Sequence, residues 1–349
     1  MYYMIAPKPI ELKPGDKVLI SRSDRLGDLI LALPFVETMK LRYPECEIDV
    51  LASLYASPIL DNNRSIDGIL RVQNDQLMSN KLYKKDFLHR IKMAQYNVVV
   101  ALFPERRVSH LFYKAAIPTR IGTAGRFHSI FYNHHLMHSR KENKKHEFEY
   151  NLDFLRFFRP GEIVTKPRVY PLEKERKYAY RILEESGIDP HKAFAVLHPG
   201  SGGSAERWPL RHFMELYRIV SDQDIQVVIS GSERESDVIR KRAAEMDMSI
   251  KTIAGETDLR TLAAALSLAT VVVANSTGPL HLAVAVGTRV VGLYPGRRVM
   301  SPMRWGPLGK DDRVIQPTGV ECTCPPKQCT CMELIQPADV AEAVRELCR

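Results

Sequence analysis

The 349-residue chain lacks the marks of several protein classes. No apolar run approaches the roughly 20 residues needed to span a bilayer. The opening MYYMIAPKPIELKPGD has no sustained apolar core and no cleavage-like site, so no secretory leader is expected and a cytoplasmic location follows. Aromatic residues make up only 8% of the chain and no aromatic–basic repeat recurs, which argues against a nucleic-acid module. There is no low-complexity segment. What is present is globular: 45% hydrophobic and 26% charged residues, over a length that exceeds one ordinary core. Two domains are expected.

The charge is unbalanced. The net charge is +9, and much of the excess falls between Arg106 and Lys145, including Arg106, Arg107, Lys114, Arg120, Arg126, Arg140, Lys141, Lys144 and Lys145. A basic surface suits polyanions such as nucleic acid, a phosphorylated glycolipid or an anionic membrane face, or simply keeps the protein solvated. Four of the six cysteines cluster as C-x-C-x4-C-x-C: Cys322, Cys324, Cys329 and Cys331. Four thiolates could hold a structural tetrahedral zinc, although the spacing is tighter than the usual knuckle. Free thiols or a disulfide in a surface loop are the alternative.

Strand and helix signals alternate along the chain, which predicts parallel sheets covered on both faces. In the first half, strands are expected at 17–21, 47–52, 69–72, 97–103 and 120–122, with helices at 28–41, 81–94, 108–116 and 147–158. Pro-containing steps across 159–172 read as a linker between a domain of residues 1–165 and one of residues 173–349. The second half repeats the plan. Strands are expected at 193–198, 225–230, 251–254, 271–273 and 289–294, and helices at 173–186, 209–221, 233–246, 258–268, 280–286 and 337–347. The last helix is expected to pack back on the N-terminal domain. Two such halves facing each other leave a cleft at their strand ends, where sheets of this kind bind ligands.

Four loops follow strands and carry chemistry. In VVVANSTGPLHLAVAVG (271–287), a buried strand stops at Asn275-Ser276-Thr277-Gly278-Pro279. Ser276 or Thr277 can cap the next helix and Pro279 suits its first turn. Backbone N–H groups and the positive dipole end make this start ready for a phosphate, with His281 in reach; an ordinary turn with a core-facing His is the alternative. In Arg22-Ser23-Asp24-Arg25-Leu26-Gly27-Asp28, Asp28 could cap a helix, for about 0.5–2 kcal/mol, or act as a general base on a hydroxyl. The loop from His198 to Pro209 is rich in small residues and ends in Arg207, which favours an anion. It fits neither the Walker pattern nor the dinucleotide fingerprint. In Ser230-Gly231-Ser232-Glu233-Arg234-Glu235, an acidic residue could hold ribose hydroxyls or complement the helix dipole.

Together these blocks resemble glycosyltransferase family 9, the ADP-heptose:lipopolysaccharide heptosyltransferases. The resemblance rests on RSDRLGDLILALP (22–34), HPGSGGSAERWP (198–209) and ANSTGPLHLAVAVG (274–287), with weaker support from NVVVALF, RIGT and HEFEYNLDFL. It implies a GT-B fold of two Rossmann-like, doubly wound domains, with the donor on the C-terminal one. It also implies an inverting, metal-independent transfer. On the matching positions it implies Asp28 as the catalytic base. Ser201, Gly202, Ser204, Arg207, Ser276, Thr277, Gly278 and His281 fall at the donor diphosphate, and Glu235, less surely Glu233, at the nucleoside. Arg22, Asp24, Arg25, Arg106 and Arg126 are expected on the acceptor side, toward a phosphorylated glycolipid at the inner membrane face. Two positions depart from the family: Ser276 stands where many members have Asp, and Glu206 where many have Lys. They touch the identity of the sugar more than the reaction class. Another nucleotide-sugar donor (UDP or GDP) and a sugar-nucleotide epimerase are alternatives within the architecture, and a basic nucleic-acid-binding protein is the alternative outside it.

Overall fold

A computed structural model describes residues 9–203, 205–317, 322, 324 and 330–349. The chain divides into two compact units, Met1–Pro167 and Arg168–Arg349.

The first unit is built on six strands, β1 (Lys17–Ser21), β2 (Glu47–Ser53), β3 (Gly68–Val72), β4 (Val98–Ala101), β5 (Thr119–Thr123) and β6 (His134–Leu136), in the order β3-β2-β1-β4-β5-β6. Every pairing is parallel. Val18, Leu19 and Ile20 in β1 and Val99 and Val100 in β4 are wholly buried, as befits central strands covered on both faces. On one face Leu19, Leu51 and Val99 pack with Phe87 and Ile91 of the helix Lys81–Ala94 and Phe112 of the helix Arg106–Lys114. The helix expected at 28–41 is two helices, Leu26–Ile30 and Leu33–Arg42. Pro34 is the cause: it lacks an N–H and is accommodated only in the first turn of the second helix.

The second unit has five parallel strands, β7 (Phe194–His198), β8 (Gln226–Ile229), β9 (Val271–Asn275), β10 (Arg289–Leu293) and β11 (Arg313–Ile315), in the order β11-β10-β9-β7-β8. The strand expected at 251–254 is reduced to one parallel bridge, Ile229 to Thr252. Counting that bridge as a strand position, the second sheet has the strand order of the first. Both reverse direction at the same place, between β1 and β4 and between β7 and β9, which is where open α/β sheets bind ligands. In the terminal helix Pro337–Cys348, Val340, Val344 and Leu347 are buried in the core of the second unit, with Phe213 and Leu216 of the helix Leu210–Ser221. Among the described residues no helix is long and apolar enough to cross a membrane.

Candidate active site at two sheet switch points

At the switch point of the first sheet, β1 hands directly to Arg22. This arginine is 2% exposed, and the cost of burying its charge is met by an array of acceptors. Nε donates to Asp24 Oδ1 at 2.9 Å, Nη1 to Glu147 Oε1 at 3.1 Å and to Asn151 Oδ1 at 3.0 Å, and Nη2 to Asp28. The ring of Phe103, just past β4, lies 5.5 Å from the guanidinium carbon. The Arg22 guanidinium is thus held among neighbouring side chains, Asp28 among them.

Two of the partners of Arg22, Glu147 and Asn151, come from a distant helix, Glu147–Leu152. A capping box fixes its start: His146 accepts from the Phe148 N–H, and Glu149 accepts from the His146 N–H at 2.7 Å. Glu147 and Asn151, four residues apart, then share one helix face. Glu147 is wholly buried and is held from a second side by Arg140 Nε at 2.9 Å. Asn151 also donates to the Leu31 carbonyl at 2.9 Å, tying this helix to the chain that follows Asp28. Glu147, Asn151 and Arg140 were not among the expected site residues.

Asp28 is the third residue of the helix Leu26–Ile30, whose N-cap is Arg25, so it does not cap that helix. Its side chain is 14% exposed. Burial raises its pKa from 3.8 to about 6; the pull of Arg22 opposes the shift, and Asp24 and Glu147 reinforce it. A carboxylate poised there is ionised at neutral pH yet basic enough to accept a proton. Of the other residues expected on the acceptor side, Asp24 is half-buried, and Arg25, Arg106 and Arg126 are exposed. The Arg126 guanidinium lies 5.7 Å from the ring of Phe103, the ring that Arg22 also faces.

The switch point of the second sheet is made of backbone. The loop after β7 is pinned at both ends by Asn275, the wholly buried last residue of β9. Its Nδ2 donates to the Pro199 carbonyl at 3.0 Å, and its Oδ1 accepts from the Trp208 N–H at 2.8 Å. Trp208 is buried and anchored again through Nε1 to the Ile335 carbonyl at 3.0 Å. Between the pins, Gly202 and Gly203 take φ of +51° and +71°, which non-glycine residues rarely adopt. Ser201 is buried, and its Oγ accepts from the Gly203 N–H at 3.3 Å. Ser204 lies outside the described residues. Arg207 is exposed; Glu206 is paired with Arg297 at 3.8 Å, so the position that departs from the family pattern is matched by a cation elsewhere in the unit. His198, under this loop, bonds Ser230 at 2.9 Å, and burial lowers its pKa to about 4, so it is neutral.

After β9, Thr277 is the N-cap of the helix Gly278–Ala285, with Pro279 in the first turn. The Thr277 side chain makes no cap bond; its hydroxyl donates back to the Asn275 carbonyl at 3.2 Å. No side chain of Thr277 thus covers the first-turn N–H groups. His281 lies in this turn and is buried, and Ser276 is hydrogen-bonded to the buried Tyr294 hydroxyl. Beside the loop, a cavity of about 410 Å³ runs between Pro199, Gly200 and Arg207 on one side and Arg234, Glu235 and Val238 on the other. Its size is within the range of small-ligand sites. Glu235 closes a capping box on Ser232, and its other oxygen lies so near Gly200 that a Cβ there would meet it at 2.5 Å. Glu233 is exposed.

Cys331 is buried, Cys322 and Cys324 are half-buried, and Cys329 lies outside the described residues. Among the described residues, no three His, Cys, Asp or Glu side chains are grouped so as to hold a metal ion.

Two Rossmann-ordered units, one carrying a largely buried carboxylate at its switch point and the other a helix start that its N-cap side chain leaves open and a cavity along the loop after β7, make up a glycosyltransferase of the GT-B fold. The family profile described as "Glycosyltransferase family 9 (heptosyltransferase)" matches residues 85–334, and the chain belongs to that family. A protein from Haemophilus influenzae that bears the name of a glycosyltransferase, with no sugar stated, is 28% identical over 319 residues, covering 89% of this chain and 90% of that protein. Lipopolysaccharide heptosyltransferase 2 of Escherichia coli is 23% identical over 315 residues, or 86% and 88% of the two chains. The solved structure of E. coli ADP-heptose lps heptosyltransferase II superposes with a TM-score of 0.78 at 22% identity, over 95% of this chain and 98% of that one.

Proposed function

We propose that the enzyme transfers a heptose, with inversion and without a metal, from ADP-heptose to a phosphorylated, lipid-linked saccharide of the lipopolysaccharide core at the cytoplasmic face of the inner membrane. The observation that carries this reading is Asp28: a carboxylate held by a buried arginine, raised by burial to a pKa of about 6, at a sheet's switch point. It removes the proton from the acceptor hydroxyl as that oxygen attacks the anomeric carbon, and the bond to the diphosphate breaks. The departing ADP gains negative charge. The N–H groups at Thr277 and Gly278, the helix dipole and His281 receive it, helped by Arg207. Comparable anion holes contribute about 2.7–4 kcal/mol per donor. The cavity beside Glu235 takes the nucleoside. Asp24, Arg25, Arg106 and Arg126 hold the acceptor phosphates and sugar.

The test is transfer from ADP-heptose to a core acceptor by wild type and Asp28→Asn, with the product's anomeric configuration read by NMR and a chelator present. Inverted product from wild type and none from the variant supports the reading. Near-normal transfer by the variant, a retained configuration or loss of activity with chelator refutes it. Because Ser276 and Glu206 depart from the family pattern, a thermal-shift panel of ADP-, UDP- and GDP-sugars decides the donor.

A further inference from the structure

Just past β5, the 3₁₀ turn Phe127–Phe131 divides its apolar side chains. Phe131 packs inward, its ring 5.1 Å from His110 and 5.8 Å from Tyr113 on the helix Arg106–Lys114. Phe127 and Ile130 stand 78% and 66% exposed. Residues three apart in a 3₁₀ turn eclipse one another, so these two form one apolar ridge. Tyr113, itself more than half exposed, flanks it through Phe131.

The ridge is set in positive charge. From Glu105 to His138 the chain carries five Lys or Arg residues and one acid, Glu105. Arg126 directly precedes the ridge; Arg106, Arg107 and Lys114 lie on the helix against which the turn packs, and all four are exposed. A soluble anion would use these cations and leave Phe127 and Ile130 in water. An apolar protein face would bury the rings and strand the cations. A bilayer carrying anionic headgroups satisfies both.

We propose that this ridge docks on an anionic membrane: Phe127 and Ile130 enter the boundary between headgroups and acyl chains, and Arg107 and Lys114 pair with the headgroups. The contact is continuous with the candidate site, since Arg126 faces the same Phe103 ring as Arg22, the residue that holds Asp28. The inference deepens the proposed function and rests on its lipid-anchored acceptor.

The experiment is co-sedimentation of the full chain with vesicles of phosphatidylcholine alone and of equimolar phosphatidylcholine and phosphatidylglycerol, at low and high salt. Wild type binds the anionic vesicles, more weakly at high salt. Phe127→Ser with Ile130→Ser lowers binding by about tenfold or more, given the apolar surface kept in water. Arg107→Ala and Lys114→Ala lower it by about fivefold each. The paired apolar variant keeps wild-type transfer to a deacylated, water-soluble acceptor and loses transfer to acceptor embedded in vesicles. Equal binding to both vesicle types overturns the inference, as does unchanged sedimentation of the paired variant. So does wild-type dimerisation in solution that the paired variant abolishes, since a second copy would then be the occupant. If vesicle binding behaves as stated and no acceptor is glycosylated, the membrane surface stands and the proposed function fails. If the soluble acceptor is glycosylated and vesicles are ignored, the reverse holds.

Discussion

Removing the charge of Glu147 while keeping its shape tests how Asp28 is tuned. Glu147 and Asp28 occupy the two Nη atoms of one guanidinium, and Glu147 is wholly buried. Carboxylates sharing a guanidinium in this way are about 6 Å apart, and at an effective dielectric of about 20–40 their repulsion is roughly 1.5–3 kcal/mol. Glu147→Gln removes that repulsion and leaves Arg22 freer to attract Asp28, so the Asp28 pKa falls from about 6 by roughly one to two units. With Asp28 as the general base, kcat/KM rises with pH as the carboxylate ionises, levelling off above about 6 in the wild type. The acid limb of the variant moves down by the same one to two units. The plateau falls as well, because a weaker base accepts the proton less readily. The variant also loses stability, since Arg22 and Arg140 are left undercompensated; breaking buried ion pairs commonly costs about 3–5 kcal/mol. A purely structural role would lower the melting temperature and leave the pH limb in place. An unmoved limb, measured on folded variant, refutes the tuning by Glu147. A limb that moves to higher pH refutes the electrostatic reasoning altogether.

Asp28→Asn abolishes turnover while calorimetric ADP affinity stays near wild type. Because the folded pKa of Asp28 lies above its ordinary value, ionisation costs stability as pH rises from about 4 through about 6, and the variant loses this dependence in pH-resolved denaturation. Asn275→Leu leaves the Trp208 N–H and the Pro199 carbonyl without their partner, at about 1–3 kcal/mol each; weaker ADP binding accompanies a lower melting temperature, and unchanged affinity would detach this pin from the donor site. His281→Ala weakens ADP binding; equal affinity by calorimetry would remove it from the diphosphate site. Glu206→Gln releases the charge of Arg297 and tightens ADP binding a few-fold at low salt, the gain fading with added salt; weaker binding would mean that the pair acts by holding the loop in place.

Most of the architecture was legible because β-strands covered on both faces are written as short apolar runs, and Val271 to Val273 or Val98 to Val100 admit few other readings. At 251–254, where a full strand was expected, Thr252 makes only a single bridge at the sheet edge, because the extent of pairing there depends on a neighbour, not on local sequence. β6 and β11, three residues each, fall below any periodicity signal. At the candidate site, residues in or just past the strand-end loops, such as Asp28, Gly202 and Thr277, could be named from the sequence. Their supports could not. Glu147 lies 125 positions from Arg22, and a Glu four residues before an Asn on a polar-looking helix reads as surface. Only the fold shows that this face turns inward. Asn275 was visible at a strand end, but its bonds to Pro199 and Trp208 join points 76 and 67 positions away.

The two units solve opposite electrostatic problems with one strand order. A base must be reluctant to stay charged; at the first switch point three carboxylates surround one guanidinium, and burial raises the pKa of Asp28 to about 6. On the proposed reading, a site for a leaving diphosphate must welcome charge as it develops. The second switch point carries backbone amides and hydroxyls, with Arg207 exposed and Glu206 set against Arg297. Donors of that kind respond to charge as it develops, which is what lowers a barrier rather than merely tightening binding. The division explains why the first half needs a distant helix to complete it and the second does not. Charges must be gathered from across the fold to balance one another, whereas amides aligned at a helix start come with the backbone.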